Sequence, residues 1–264
     1  LSYSLLPMMH AVINDMLSPE EARQQLALIR QHLHGPDGAH LFDRPMAYQG
    51  GPMTIFQRAE SSSFFGREIG IMYTHAHLRY AEALWHYGDA EGFFAALGQA
   101  IPIGVQALIA PATRRQANCY YSSSDAAFND RYQAYTDYAR ALKGDIALEG
   151  GWRVYSSGAG IAISLILRCL LGIRQASQCL VIDPVLPPSL DGLRVKMDIA
   201  DQPFDIRYCI GSTGHGPLSL TLNGLPLDFV RVPNPYRTGA AEVPMAELAG
   251  RLLTSGNVLT VSLG

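Results

Sequence analysis

Leu193-Arg194-Val195-Lys196-Met197-Asp198-Ile199 decides the fold class of this chain. Apolar residues alternate there with charged ones, the period of a strand that buries one face. The alternation recurs at Phe204, Ile206, Tyr208 and Ile210, and again at Leu218, Leu220 and Leu222. Asn223-Gly224 follows, a dipeptide suited to a two-residue hairpin turn, and Leu225, Leu227 and Phe229 resume the pattern beyond it. Leu259, Val261 and Leu263 supply a last strand. Before about residue 176 the spacing is helical instead.

Working back toward the N-terminus, Ser18-Pro19-Glu20-Glu21 marks a helix start: Ser18 caps, Pro19 fits the first turn and Glu21 closes a capping box. Ala22, Leu26, Ile29 and Leu33 follow at helical spacing, and Gly35-Pro36 ends the run. A second helix is expected over Arg67 to Tyr87, stopping at Gly88. Asp89 then caps a third with Phe93, Phe94 and Leu97. From Pro111 to Gly151 the pattern breaks, with helix only around Arg131 to Leu142, as in a long functional loop. Gly158 to Leu171 is apolar on nearly every face and reads as a buried helix ended by Gly172.

Helices first and strands afterwards indicate segregated domains rather than βαβ units. The expectation is an α+β multidomain chain: a helical region over 1–175 and a small antiparallel β-sandwich, jelly-roll-like, over 176–264.

The bulk numbers exclude several classes. With 48% hydrophobic and 16% charged residues the chain is not disordered. A net charge of −3 with no basic track argues against nucleic acid or an anionic membrane as partner. The longest strongly apolar run, Gly158 to Leu171, is too short to span a bilayer and contains Arg168. Cys119, Cys169, Cys179 and Cys209 show no metal-finger spacing and are too sparse for a disulfide scaffold, so reduced thiols and a cytoplasmic location are expected. Leu1 falls inside an apolar stretch without a start Met, a cap or a basic leader, which reads as a piece of a longer protein.

Three segments could carry chemistry. His75 and His77, at i and i+2 of a helix, face different sides and make a poor metal pair. One of them facing a polar pocket could bind a sugar hydroxyl or a phosphate oxygen; the plainer alternative has one exposed and one satisfied in the core. Ser156-Ser157-Gly158 opens the apolar helix, where hydroxyls and unpaired N–H groups suit an anion. An ordinary cap with glycines for tight packing fits the same residues. Tyr120, Tyr121 and Asp125 lie in the long loop and Trp152 just before the Ser-Gly turn, all suited to sugar faces and hydroxyls, or to a linker and simple packing. Glu60, Glu68, Asp125, Asp130 and Glu149 form no convincing catalytic pair by spacing. No nucleophile elbow and no phosphate loop of a nucleotide-binding kind occurs.

Several of these strings, in order, resemble the C-terminal half of the glycoside phosphorylases of the cellobiose phosphorylase family, family 94. They are Phe64-Phe65-Gly66-Arg67-Glu68-Ile69-Gly70, Tyr73-Thr74-His75-Ala76-His77-Leu78-Arg79-Tyr80, Tyr121-Ser122-Ser123-Ser124-Asp125-Ala126-Ala127-Phe128 and Gly150-Gly151-Trp152-Arg153-Val154-Tyr155-Ser156-Ser157-Gly158. Ile182-Asp183-Pro184-Val185-Leu186-Pro187 and Leu190-Asp191-Gly192-Leu193 resemble the junction into that family's C-terminal β-domain. Within the family the strings are most similar to 1,2-β-oligoglucan phosphorylases.

The resemblance implies the C-terminal part of an (α/α)6 barrel with a jelly-roll cap. It implies inverting phosphorolysis of a β-glucan to α-glucose 1-phosphate, with a β-glucan oligosaccharide and inorganic phosphate as substrates and no cofactor or metal. Phosphate would be held by His75 or His77 with Ser156, Ser157 and Gly158; Tyr120, Tyr121, Asp125 and Trp152 are the candidate glucan contacts. Catalytic residues in this chain: none, because the family's general acid Asp stands in an Asp-Trp-Asn-Asp-like motif that this chain lacks. Ala159 also departs from the Pro common at its place. The rest of its own polypeptide would then be the chain's partner, the isolated chain would be inactive, and a homodimer is left open. Two other readings compete: a hydrolase on a similar helical toroid, and a non-catalytic carbohydrate-binding module.

Overall fold

The computed structural model describes residues 2–45, 72–101, 105–112, 125–149, 156–176 and 178–264. The helical part contains α1 (Leu5–Ile13), α2 (Pro19–His32), β1 (His34–Gly35), β2 (Gly38–Ala39), α3 (Thr74–Tyr87), α4 (Ala90–Gln99), α5 (Val105–Leu108), β3 (Asp125–Ala126), α6 (Arg131–Leu142), β4 (Leu148–Glu149) and α7 (Ser156–Leu165). There follow β5 (Ile173–Gln175), β6 (Cys179–Ile182), β7 (Arg194–Ile199), β8 (Gln202–Cys209), β9 (Pro217–Leu222), β10 (Leu225–Pro226), β11 (Val230–Arg231), β12 (Ala241–Pro244), α8 (Met245–Ala249) and β13 (Asn257–Leu263). The Phe64–Gly70 motif and the expected start of a helix at Arg67 lie outside the described residues.

Local side chains start the helices. Ser18 Oγ accepts from the Glu21 N–H at 3.3 Å while the Glu21 carboxylate accepts from the Ser18 N–H at 2.9 Å, so the capping box at α2 is present. Asp89 Oδ1 accepts from the Gly92 N–H at 2.9 Å ahead of α4. Asp130 accepts from Tyr132 and Gln133 N–H groups at 2.9 and 2.8 Å ahead of α6. Each satisfies donors that the first turn leaves unpaired.

The chain divides into two compact units: Leu1–Ala83 with Ala95–Ala162, and Leu84–Phe94 with Ile163–Gly264. In the first, β1 and β2 form a hairpin with His34 opposite Ala39 and Gly35 opposite Gly38. Side chains from three helices fasten it. Gln99, at the end of α4, donates to the Gly35 and Pro36 carbonyls at 3.2 and 3.1 Å, and its Oε1 lies 3.0 Å from His34 Nε2. His77 of α3 accepts the Ala39 N–H at Nδ1, 2.9 Å away, and donates Nε2–H to the Ala96 carbonyl at 2.7 Å. Just past the hairpin, His40 Nε2 meets the Asp37 carboxylate at 2.7 Å and Nδ1 lies 2.6 Å from the Tyr138 hydroxyl of α6. Asp37, His40, His77 and Tyr138 are all buried. Gly38 has φ +126°, and a Cβ there would lie 2.8 Å from His77 Nδ1, so the imidazole occupies the space a side chain would take.

In the second unit the strands form a five-stranded sheet, β10-β9-β13-β8-β7, and a four-stranded sheet, β11-β12-β6-β5. Residues of both fill one core: Phe204, Ile206, Leu220, Leu222, Leu259 and Val261 from the first, Leu180, Ile182, Ala241 and Val243 from the second. Asn223 and Gly224 have φ of +54° and +82°, the conformation of a primed two-residue turn, and Leu222 pairs with Leu225 across it. The expected all-antiparallel sheet needs correction, because β13 lies between β9 and β8 and runs parallel to β8. A strand that arrives through a long connection has no hairpin to set its direction.

Two further expectations change. The units do not divide between 175 and 176: Leu171 and Ile173 already sit in the strand core, and the Tyr208 hydroxyl donates to the Leu171 carbonyl at 2.6 Å. Nor is the apolar helix buried all round. Ile163, Ile166 and Leu167 are 59%, 39% and 40% exposed, since neighbours cover only one side, and periodicity cannot report that. After Leu165 the helix widens into a π-turn, Ile166–Leu170, and ends at Gly172. Gly172 has φ +66°, and a Cβ there would lie 2.0 Å from the Pro184 nitrogen.

The second unit also encloses an ion pair. The Arg237 side chain, 1% exposed, grips Asp183 with both terminal nitrogens at 2.7 and 3.0 Å, and Nε donates to the Trp85 carbonyl at 3.1 Å. Its guanidinium lies 5.1 Å from the Trp85 ring centroid. Asp183→Ala strands this buried cation, and a loss of about 3–5 kcal/mol in denaturant unfolding is expected; a loss under about 1 kcal/mol contradicts the assignment.

His77 makes a second prediction. Burial pushes its pKa down to about 4, only partly offset by the bond to the Ala96 carbonyl. The unfolded chain takes up this proton near an ordinary 6.5, so between those values the unfolded state binds more protons. The contribution of His77 is therefore complete above about pH 6.5 and lost as pH falls toward 4, reaching about 3 kcal/mol. His77→Ala is expected to be less stable at pH 7 by at least about 2 kcal/mol, having orphaned two buried backbone groups, and to show a shallower decline from pH 6.5 to 4. An equal decline in both proteins, measured by denaturation at several pH values, contradicts it.

Candidate functional site

Two residues apart on α3, His75 and His77 point about 200° apart around the helix axis. His77 is fully buried. Both its ring nitrogens are taken by backbone groups, one as acceptor and one as donor. Of the two histidines offered for phosphate, His77 is therefore withdrawn: no nitrogen is left to offer an anion.

His75 is the remaining imidazole. It is half-buried, and its ring lies against Tyr73 with centroids 6.0 Å apart and planes 20° apart. Partial burial lowers its pKa, helped by the nearby Arg79 and His10 charges. At neutral pH such a ring is uncharged and carries one N–H donor. Arg79, one turn on, pairs with Glu82 at 2.5 Å.

Ser156, Ser157 and Gly158 form the first turn of α7, as their composition suggested. N–H groups in a first turn lack intrahelical partners and present the positive end of the helix dipole. Gly158 is buried. The side chains of Ser156 and Ser157 lie outside the described residues, as do Tyr120, Tyr121, Trp152 and the side chain of Asp125.

Asp125 is nevertheless placed through its backbone. β3 and β4 pair antiparallel, with Asp125 opposite Glu149 and Ala126 opposite Leu148. In an antiparallel pair, the chain entering one strand and the chain leaving the other lie at the same end. The backbones of Asp125 and Glu149 therefore lie opposite each other at one end of the pair. Strands of two residues show no alternation, so no periodic signal announced this ladder.

The cluster of Asp37, His40 and Tyr138 also had no sequence signal beyond the Gly35-Pro36-Asp37-Gly38 turn. Burial, then the Asp37 and Asp43 charges, hold the Tyr138 phenol well above its usual range, so it stays protonated. Enclosed as it is, the cluster fastens the hairpin. Among the described residues no three side chains converge as metal ligands, and no helix is long and apolar enough to cross a membrane.

No family model matches the chain. Over 248 residues, 94% of its length, it is 40% identical to a 1,2-beta-oligoglucan phosphorylase of Listeria innocua, and the match spans 22% of that relative. Identity of this extent, continuous through helices and strands, is beyond what shared composition produces. The chain spans about a fifth of the length of that relative, and the similarity to a 1,2-β-oligoglucan phosphorylase that its motifs suggested is borne out over nearly all of its own length.

Proposed function

We propose that this chain forms part of an inverting glycoside phosphorylase that transfers a glucosyl unit from a β-1,2-linked glucan oligosaccharide to inorganic phosphate. The observation that carries the reading is the 40% identity over 94% of the chain to a protein named for that activity. In the reaction, a phosphate oxygen bonds to the anomeric carbon from the face opposite the glycosidic oxygen. The glycosidic C–O bond breaks, and the departing oxygen takes a proton from a carboxylic acid. The products are α-glucose 1-phosphate and a glucan one unit shorter. Phosphate is already an anion, so the site needs donors to hold it more than a base to activate it.

His75 and the first turn of α7 are the donors in this proposal. A neutral imidazole supplies one N–H, and the helix start supplies backbone N–H groups with a favourable dipole. Both belong to the first compact unit. Tyr120, Tyr121, Asp125 and Trp152 are proposed to contact the glucan. The general acid is proposed to come from polypeptide beyond this chain.

The test uses the longest open reading frame that encodes the chain, with β-1,2-glucan oligosaccharides and phosphate. His75→Ala is expected to raise the phosphate KM about 10- to 100-fold, the scale of one charge-assisted hydrogen bond, with little change in the oligosaccharide KM. The isolated 264-residue chain is expected to release no glucose 1-phosphate. Release of free glucose independent of phosphate would instead identify a hydrolase. A His75→Ala variant with unchanged phosphate dependence removes His75 from the site.

A further inference from the structure

The two histidine rings of α3 are held in different ways. Both nitrogens of His77 are tied to backbone groups, which fixes its ring plane. Among the described residues neither nitrogen of His75 has a hydrogen-bond partner. Its ring is met instead by that of Tyr73, with centroids 6.0 Å apart and planes 20° apart. That separation lies inside the range over which aromatic rings attract one another.

The course of the chain explains how residues at i and i+2 can meet. On one helix such a pair points to different sides. α3 begins at Thr74, so Tyr73 lies just outside it and its ring does not follow the helical direction. The backbone beneath both rings is anchored around the β1–β2 hairpin. Met72, next to Tyr73, bridges antiparallel to His40. The Tyr73 carbonyl accepts the His77 N–H at 2.9 Å, and His77 in turn holds α3 to Ala39. What stays adjustable in His75 is side-chain torsion. Tyr73 and His75 are both half-buried, so an unstacked imidazole could turn toward solvent.

We propose that Tyr73 is a positioning residue for phosphate binding: its ring stacks on His75 and holds the imidazole in the orientation that presents its N–H to the anion. The proposal rests on the role of His75 proposed above. A free side chain gives up rotamer freedom when it engages a ligand, and a ring already held by a neighbour gives up less. Stacking uses the ring face and needs no hydroxyl, and among the described residues the Tyr73 phenol makes no hydrogen bond. Phe should therefore serve as well as Tyr at this position.

The experiment compares wild type, Tyr73→Phe, Tyr73→Leu, His75→Ala and Tyr73→Leu/His75→Ala in the full polypeptide. Phosphorolysis of β-1,2-glucan oligosaccharides is measured with phosphate varied and then with oligosaccharide varied. Tyr73→Leu keeps apolar bulk without a flat ring. It is expected to raise the phosphate KM roughly 2- to 10-fold, the scale of one aromatic contact, with the oligosaccharide KM unchanged. Tyr73→Phe should match wild type. In the His75→Ala background Tyr73→Leu should add nothing, because the ring acts through the imidazole. An unchanged phosphate KM in Tyr73→Leu overturns the proposal, as does a further rise in the double variant. A loss in Tyr73→Phe as large as in Tyr73→Leu also overturns it and makes the phenol hydroxyl a direct contact. Phosphate titrations followed by the His75 nitrogen shifts keep this outcome apart from the functional reading. Wild type that forms no glucose 1-phosphate rejects that reading, while weaker phosphate binding at His75 in Tyr73→Leu than in wild type and Tyr73→Phe leaves the positioning role standing. Equal binding in all three removes it.

Discussion

The first unit depends on the fastening of one short hairpin, His34 to His40, by side chains from three helices. The hairpin is too small to hold itself together, since β1 and β2 have two residues each. Its backbone groups are instead satisfied by His77 from α3 and Gln99 from α4, while His40, just beyond it, reaches Tyr138 of α6. The bonds made by His77 and His40 each close a buried polar group that would otherwise cost about 1–3 kcal/mol. Gly38 completes the arrangement, because only a residue without a side chain leaves room for the His77 ring.

That constraint divides the labour between the two histidines of α3. With His77 committed to the hairpin, the helix is locked in rotation, and His75 is directed to another side. Burial of the His77 ring in the core is what drives its pKa so low, against the opposing pull of the Ala96 carbonyl. Partial burial shifts the half-buried His75 ring in the same direction, and the nearby Arg79 and His10 charges add to it. In the second unit Arg237 plays the corresponding part, joining Asp183, the Thr238 carbonyl and the Trp85 carbonyl from separate stretches of chain.

Features set by neighbours in sequence were legible beforehand. The capping box of Ser18 and Glu21, the cap at Asp89, the Asn223-Gly224 turn and the alternation along β8 and β13 each depend on a few consecutive residues, and the structure shows them as read. Features set across the chain were not. Whether β13 runs parallel or antiparallel depends on where a long connection delivers it. The exposure of Ile163 and Leu167 depends on what covers the helix, not on its own period. For the candidate site, the helix start at Ser156-Ser157-Gly158 was legible because a helix start is local, and it does open α7. The choice between His75 and His77 was not, because the Ala39 N–H and the Ala96 carbonyl that claim His77 lie far from it in sequence.

The most direct test is a nitrogen NMR titration of the imidazoles in the polypeptide that carries this chain, with and without phosphate. The account predicts that His77 stays a neutral ring with its proton on Nε2 from neutrality down to about pH 5 and does not respond to phosphate. His75 should titrate at higher pH than His77, and its nitrogen shifts should move when phosphate is added. If His77 titrates near the ordinary value and shifts with phosphate while His75 stays unchanged, the central claim, that α3 gives one histidine to the fold and the other to the site, is contradicted.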